Sequence, residues 1–466
     1  MTLSDNSLIA DLIALRRSIK EENDCKPKNE PETKLSNATI FVRAFKDNTK
    51  CFSDGNAVFV YNGCIYKEYQ DEELFQLIET DFTMFNGKWS MYYFNEISKQ
   101  MKHSYFIPYE ERVKNRPDYL IPFMNCLFNM RTKKTEIFSD KYLFTEQLPY
   151  DYVLTNPPLF NYALCTTLPL LEDRDKLLAF FQESMNTGIR YQKALLLTGV
   201  GANGKTSLLE CIMELYGRRA TTLKRSRLKE EGGIIDIRGK TMVVMSEVGG
   251  GRMSIEEMDL LKSIITDKFQ SGRKKYGKEV KFQNTSIFFF TSNPPLPKLA
   301  QLFDEAFFRR FDMIEFNQQF KGNDIDYYLY DDIIKHEADQ VLSYIVRYIP
   351  TYDFKNDWMD IADKWNLMSD TVKRFVADKC YHDETQVVER DRLYSEYISF
   401  CSAMQLTEVS KKWFIQTLER MGYICEKLLD EYVFYNINLG VKIEMILEKN
   451  RRNRLRDEEE VEVSHE

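Results

Sequence analysis

The stretch ALLLTGVGANGKTSLLECIMEL, residues 194–215, constrains this chain more than any other. Within it GVGANGKT, Gly199 to Thr206, has the spacing of a loop whose backbone amides wrap a phosphate, two glycines five residues apart followed by Lys and Thr. A buried apolar strand leads in and a helix begins at the lysine, so loop N–H groups and the helix N-terminus face one anion. Gly199, Gly201 and Gly204 let the backbone approach without Cβ clashes, Lys205 reaches the β- and γ-phosphates, and Thr206 ligates Mg2+. The expected binding set is Gly199, Val200, Gly201, Ala202, Asn203, Gly204, Lys205, Thr206 and Ser207. The pattern implies a nucleotide and does not by itself specify a function.

Four further segments follow in order. KTMVVMSEV is an apolar strand ending in Ser246 and Glu247, where an acid serves the metal-bound water network or acts as a base. TSIFFFTSNPPLP is a second buried strand, ending at Asn293 before a proline stop; Asn293 is placed to orient water beside the γ-phosphate. DEAFFRRFDMIEF carries Arg309 and Arg310 between aromatics, and one of them, with Arg309 favoured, is expected to reach a neighbouring subunit's γ-phosphate. Between the two strands lies SGRKKYGKEVKF, a hairpin pattern with its tip at Gly277. Arg273, Lys274, Lys275, Tyr276 and Lys278 suit it to phosphates and a stacked base. The alternation of apolar runs with helical patterns predicts an α/β core with a parallel sheet.

The rest of the chain bounds this reading. At 466 residues it is long enough for about three domains. Lys and Arg number 64 against 72 Asp and Glu, a net charge of −8 that argues against a whole-surface grip on nucleic acid or anionic lipid and leaves room for a local basic channel. No apolar run is long enough to cross a bilayer, so a soluble, non-secreted protein is expected. Nine cysteines without a CxxC pair read as reduced thiols, and the four histidines, His103, His336, His382 and His465, are too scattered for a zinc site. Residues 1–35 read as a leader helix and linker, 36–158 as an α+β domain, and 446–466 as a charged tail. Three short helices and a terminal hairpin within 351–445 suggest a winged helix, with Lys411, Lys412 and Trp413 on its third helix as candidates for binding duplex or partner.

The order of these segments, from Leu195 to Phe316, resembles superfamily 3 helicases of viruses, phages and plasmids. It is most similar to the phage/plasmid primase family and the helicase half of poxvirus-type helicase-primases; IIDIRGK, Ile234 to Lys240, matches a segment that precedes the acidic strand there. The resemblance implies a P-loop, AAA+-like ATPase domain over 159–350, preceded by the family's α+β domain and followed by its winged-helix-like region. It implies ATP and Mg2+, with Thr206 and Glu247 at the metal, and catalysis by Lys205, Glu247, Asn293 and Arg309 or Arg310. It further implies DNA contact around Lys275 to Lys278, a hexameric ring on single-stranded DNA, and a separate primase or polymerase as a further partner. No membrane is expected, and for a viral protein the site of action is the replication site in host cytoplasm or nucleus. The resemblance covers most of residues 40–440; only about 35 residues precede it, and they hold no DxD triplet with a partner histidine, so primase activity is not expected. Two other classes remain open: an NTPase that packages or remodels DNA without unwinding it, and an ATP-binding assembly factor.

Overall fold

The apolar runs on either side of the Gly-rich loop assemble into one sheet. The computed structural model describes residues 10–15, 17–18, 35–186, 191–199, 201–230, 232–246, 252–273, 279–293, 296, 298–299, 304–322, 325–355, 358–383, 386–404, 406–428 and 431–440. Five strands, β1 (Ala194–Thr198), β2 (Ala220–Thr222), β3 (Met242–Met245), β4 (Ile287–Ser292) and β5 (Phe311–Glu315), lie side by side in the order β5-β1-β4-β3-β2. Every neighbouring pair is parallel. β1, β3 and β4 are buried along their whole length, as expected of parallel strands covered on both faces.

On one face Leu196, Val243, Phe290 and Phe311 share a core with the helices Ile255–Thr266 and Trp358–Met368, through Leu261, Ile265 and Trp365. The helix Ile255–Thr266 starts at a reciprocal cap, Ser254 with Glu257, the pattern of a Ser followed three residues on by Glu. Thr198 stands level with both Ser292 and Glu315, so the C-terminal ends of β1, β4 and β5 form one edge.

The chain divides into two compact units. The first contains the described residues up to Pro157, with 185–186 and 337–348. Its helices Asn37–Asn48, Asp71–Asn86 and Met91–Ser104 close over Phe41, Phe45, Phe82 and Ile97, and Leu12 joins that core. The strands Val58–Tyr61 and Tyr66–Tyr69 flank the turn at Asn62-Gly63, where the Asn62 carboxamide accepts from the amides of Cys64 and Ile65 and Gly63 takes φ 100°. A second antiparallel sheet joins Leu120–Pro122, Leu127–Asn129 and Lys134–Glu136. Residues 337–348 group with this unit instead of with 159–336, and polar bonds explain why. Lys133 donates to the carbonyls of Val346 and Tyr348 at 2.9 and 3.0 Å, Arg347 donates to those of Val153 and Thr155, and Ser343 accepts from the Val153 amide.

The second unit carries the parallel sheet and, after it, the helices Thr371–Lys379, Arg390–Ala403 and Lys411–Arg420. These share a core of Phe375, Tyr397, Phe414 and Phe434 with an antiparallel sheet in which Glu431–Tyr435 lies between Val387–Glu389 and Cys425–Leu428. Arg374 fastens this region to the end of β5. Its guanidinium, only 6% exposed, lies 2.6 Å from the Glu315 carboxylate and 3.6 Å from that of Asp378.

Removing the half-buried Glu315 leaves the buried Arg374 guanidinium with only the more distant Asp378 carboxylate. Glu315→Ala is therefore expected to cost about 2–3 kcal/mol in urea unfolding followed by tryptophan fluorescence. Asp360→Ala, which breaks the exposed pair with Lys364, is expected to cost less than about 0.5 kcal/mol.

Candidate functional site

The loop between β1 and the helix Lys205–Tyr216 turns through positive φ at Gly199 (150°), Ala202 (60°) and Gly204 (80°). Gly199 has no room for a side chain, since a Cβ there would lie 2.3 Å from the Phe316 carbonyl oxygen and 2.6 Å from the Asn203 amide nitrogen. The chain just after β5 holds the loop from the side: the Asn203 carboxamide donates to the Phe316 carbonyl at 3.1 Å, and the Phe320 amide donates to the Ala202 carbonyl. Beyond Gly204 the helix buries Leu208, Leu209, Ile212 and Leu215, which fixes its start and leaves the hydroxyls of Thr206 and Ser207 exposed at its first turn.

Lys205 points back into the loop and is 4% exposed. Its ammonium donates to the Gly199 carbonyl at 2.8 Å, to the Asn203 carboxamide oxygen at 2.9 Å and to the Asn293 carboxamide oxygen at 3.2 Å. Burial pulls its pKa down from 10.5 to about 8, because the charged form loses solvation that neutral oxygens replace only in part. Asn293, at the end of β4, is exposed. The geometry thus brings together Gly199, Asn203, Lys205 and Asn293, and sets Thr206 and Ser207 beside them.

Other expected residues lie elsewhere. Arg309 and Arg310 precede β5 at the opposite edge of the sheet, where the Arg310 carbonyl accepts from the amide of Ala194 at the start of β1. Arg309 is exposed, whereas Arg310 turns back to donate to the Ala306 carbonyl, and burial together with the Arg309 charge lowers its pKa. The strands Phe269–Gly272 and Val280–Gln283 pair antiparallel, with Gly272 opposite Val280, so residues 273–279 form the connection. Arg273 and Lys281 on its shoulders are exposed. Val200, Glu247, Lys274, Lys275, Tyr276 and Lys278 lie outside the described residues. On the helix Lys411–Arg420, Trp413 is 53% exposed with Arg420 against its ring, while Lys411 is engaged by Asp391 at 2.6 Å.

Sequence reasoning missed a cavity of about 500 Å3 beside the loop. Gly204 and Ser207 form one wall, the helix Pro158–Thr167 another, and residues 320–334 a third. Tyr162, Phe320 and Tyr330 contribute aromatic surface. These groups come from three separated segments, and no spacing in the chain links them. Among the described residues no group of three or more His, Cys, Asp or Glu could hold a metal ion, and no helix is long and apolar enough to cross a membrane.

A family of unknown function, DUF5906, matches residues 197–310, from the end of β1 through Arg310. No curated protein matches the chain. Among solved structures, the apo C-terminal region of NrS-1 (residues 305–718) is similar with a TM-score of 0.46 at 13% identity, over 84% of this chain and 97% of that one. The A form of the same region gives 0.45 at 13% identity, over 84% and 96%.

The loop tolerates no Cβ at its first residue. Gly199→Ala is expected to break the bond between Asn203 and Phe316 and cost about 2 kcal/mol or more. Gly87→Ala is the control, in the left-handed region at φ 71° and ψ −1° with no atom within 4 Å of the added Cβ, and is expected to cost about 1 kcal/mol. The two are compared by urea midpoint at constant slope.

Proposed function

We propose that this chain is a ring-forming, ATP-driven DNA helicase of a virus, phage, plasmid or related element, acting on single-stranded DNA. The observation that carries the proposal is the position of the Lys205 ammonium, tied to the Gly-rich loop and to Asn293 on the adjacent strand end. Ligands in parallel α/β sheets bind at the carboxyl ends of the strands, and this edge holds a cation, a helix N-terminus and an amide side by side. A triphosphate on the loop would exchange the oxygens now around Lys205 for its own β- and γ-oxygens. Asn293 would then be released to hold a water in line with the γ-phosphate. Mg2+ fits such a site because it takes few protein ligands and several from phosphate and water. The exposed Thr206 hydroxyl and Glu247 would hold it, and it would neutralise charge developing on the phosphate oxygens.

The arginines support action between subunits. Arg309 stands at the start of β5 and the loop at the end of β1, separated by a five-residue strand, roughly 16 Å at the usual rise. That is beyond the span of an arginine side chain, so Arg309 serves a neighbour's loop and Arg310 anchors the turn. A hairpin with a basic connection supplies the DNA contact, repeated around a ring. A winged-helix-like reading of residues 351–445 is supported by three helices packed on a small antiparallel sheet within 371–435.

Lys205→Ala is expected to abolish ATP hydrolysis, and Arg309→Ala to abolish it while nucleotide binding stays within about threefold of wild type; unchanged turnover in the Lys205 variant removes the proposal. Strand displacement on forked DNA separates unwinding from packaging, remodelling or assembly roles. Replacing Lys275 and Lys278 by Ala is expected to reduce the slope of log affinity for single strands against log salt by about 0.7 per lost contact. Lys205, with a pKa of about 8 before nucleotide binds, takes up a proton when triphosphate binding leaves it fully charged. Calorimetry in two buffers of different ionisation enthalpy is therefore expected to show proton uptake on triphosphate binding that is larger at pH 8.5 than at pH 7.

A further inference from the structure

The cavity beside the Gly-rich loop has a charge pattern opposite to that of a phosphate site. Glu210, Glu214, Asp326 and Asp331 line it, and among the described residues no Lys, Arg or His does. Two of these carboxylates belong to the loop's own helix: Ser207, Glu210, Cys211 and Glu214 fall at i, i+3, i+4 and i+7, one face of the helix that starts at Lys205. The cavity therefore begins where the loop ends and turns acidic within one helical turn.

Four carboxylates, all of them exposed, disfavour a phosphate and impose no such penalty on an uncharged heterocycle. The aromatic faces of Tyr162, Phe320 and Tyr330 offer stacking surface, and the volume of about 500 Å3 lies in the range of small-molecule pockets. Carboxylates accept hydrogen bonds and donate none. A ring that presents an exocyclic amino group to them is bound, and one that presents a carbonyl oxygen at the same position meets acceptor against acceptor.

We infer that this cavity is the base subsite of a nucleoside triphosphate, and that its carboxylates select amino-bearing bases, adenine and cytosine, over their oxo counterparts, hypoxanthine and uracil. The inference rests on the reading of the loop as a triphosphate site and adds to it the direction in which the nucleotide lies and the chemistry by which its base is chosen. Phosphates lie on the loop and the glycosidic bond points along the helix toward Glu214. Tyr162, 59% exposed on the helix Pro158–Thr167, closes over the base from the solvent side.

Competition binding on the full chain separates the two claims. The competitors are the Mg2+ complexes of tripolyphosphate, ATP, ITP, CTP and UTP. Tripolyphosphate reads the loop alone. ATP is expected to bind about tenfold tighter than ITP, and CTP about tenfold tighter than UTP. Tyr162→Ala is expected to weaken ATP by about tenfold and leave tripolyphosphate unchanged, which also shows that the variant is folded. Among Glu210→Gln, Glu214→Gln, Asp326→Asn and Asp331→Asn, at least one is expected to bring the ATP to ITP ratio below about twofold. If tripolyphosphate binds and the four nucleotides bind equally to it and to one another, the base subsite is overturned and the loop stands. Selectivity that survives all four carboxylate variants overturns the selection mechanism. Absence of binding by tripolyphosphate and nucleotides alike overturns the loop reading and the subsite together.

Discussion

A single ammonium group organises the edge of the sheet where the loop emerges. Lys205 is almost fully buried, and burying a cation is costly unless oxygens replace its water. Gly199, Asn203 and Asn293 provide them, each from a different place: the last residue before the turn, the turn itself, and the end of the neighbouring strand. Satisfying that charge sets the conformation of the loop. The bond to Asn293 depends on β4 standing beside β1 with its end level with the loop, and the loop itself needs a backbone without Cβ at Gly199, where the Phe316 carbonyl presses in.

The sequence made much of this legible and left some of it hidden, for physical reasons. Apolar runs such as ALLLT and IFFFTS announce buried parallel strands because both faces must be apolar, and the Gly spacing before Lys205 announces the loop because only that backbone admits it. The strand order is not written in any run. That β4 lies between β1 and β3 follows from how the faces pack, a property of the assembled sheet. Asn203 reads as one residue of a binding set; its part in clamping the loop to Phe316, 113 positions on, has no local signature. The cavity escaped for the same reason, since its walls come from residues 162–167, 202–214 and 320–334. The third helix of the C-terminal region gave a partial reading: Lys411 is neutralised by Asp391, while Trp413 is exposed and not in the core.

Net charge is a poor guide to a chain whose charges are sorted by place. The overall value of −8 is compatible with a basic hairpin connection and with an acidic cavity within the same unit. The two arginines illustrate the sorting at closer range. Adjacent in sequence, they differ in fate because one continues the turn outward and the other folds back onto the carbonyl of Ala306.

The pair between Arg374 and Glu315 places the C-terminal helices in mechanical series with the loop. Glu315 ends β5 level with Thr198, and the next residue, Phe316, accepts from Asn203, whose other amide atom holds Lys205. From the guanidinium to the ammonium the linkage runs through one ion pair, one peptide unit and two hydrogen bonds, with no flexible segment in between. The helix Thr371–Lys379 and the Lys205 ammonium are thereby joined by an unbroken run of contacts.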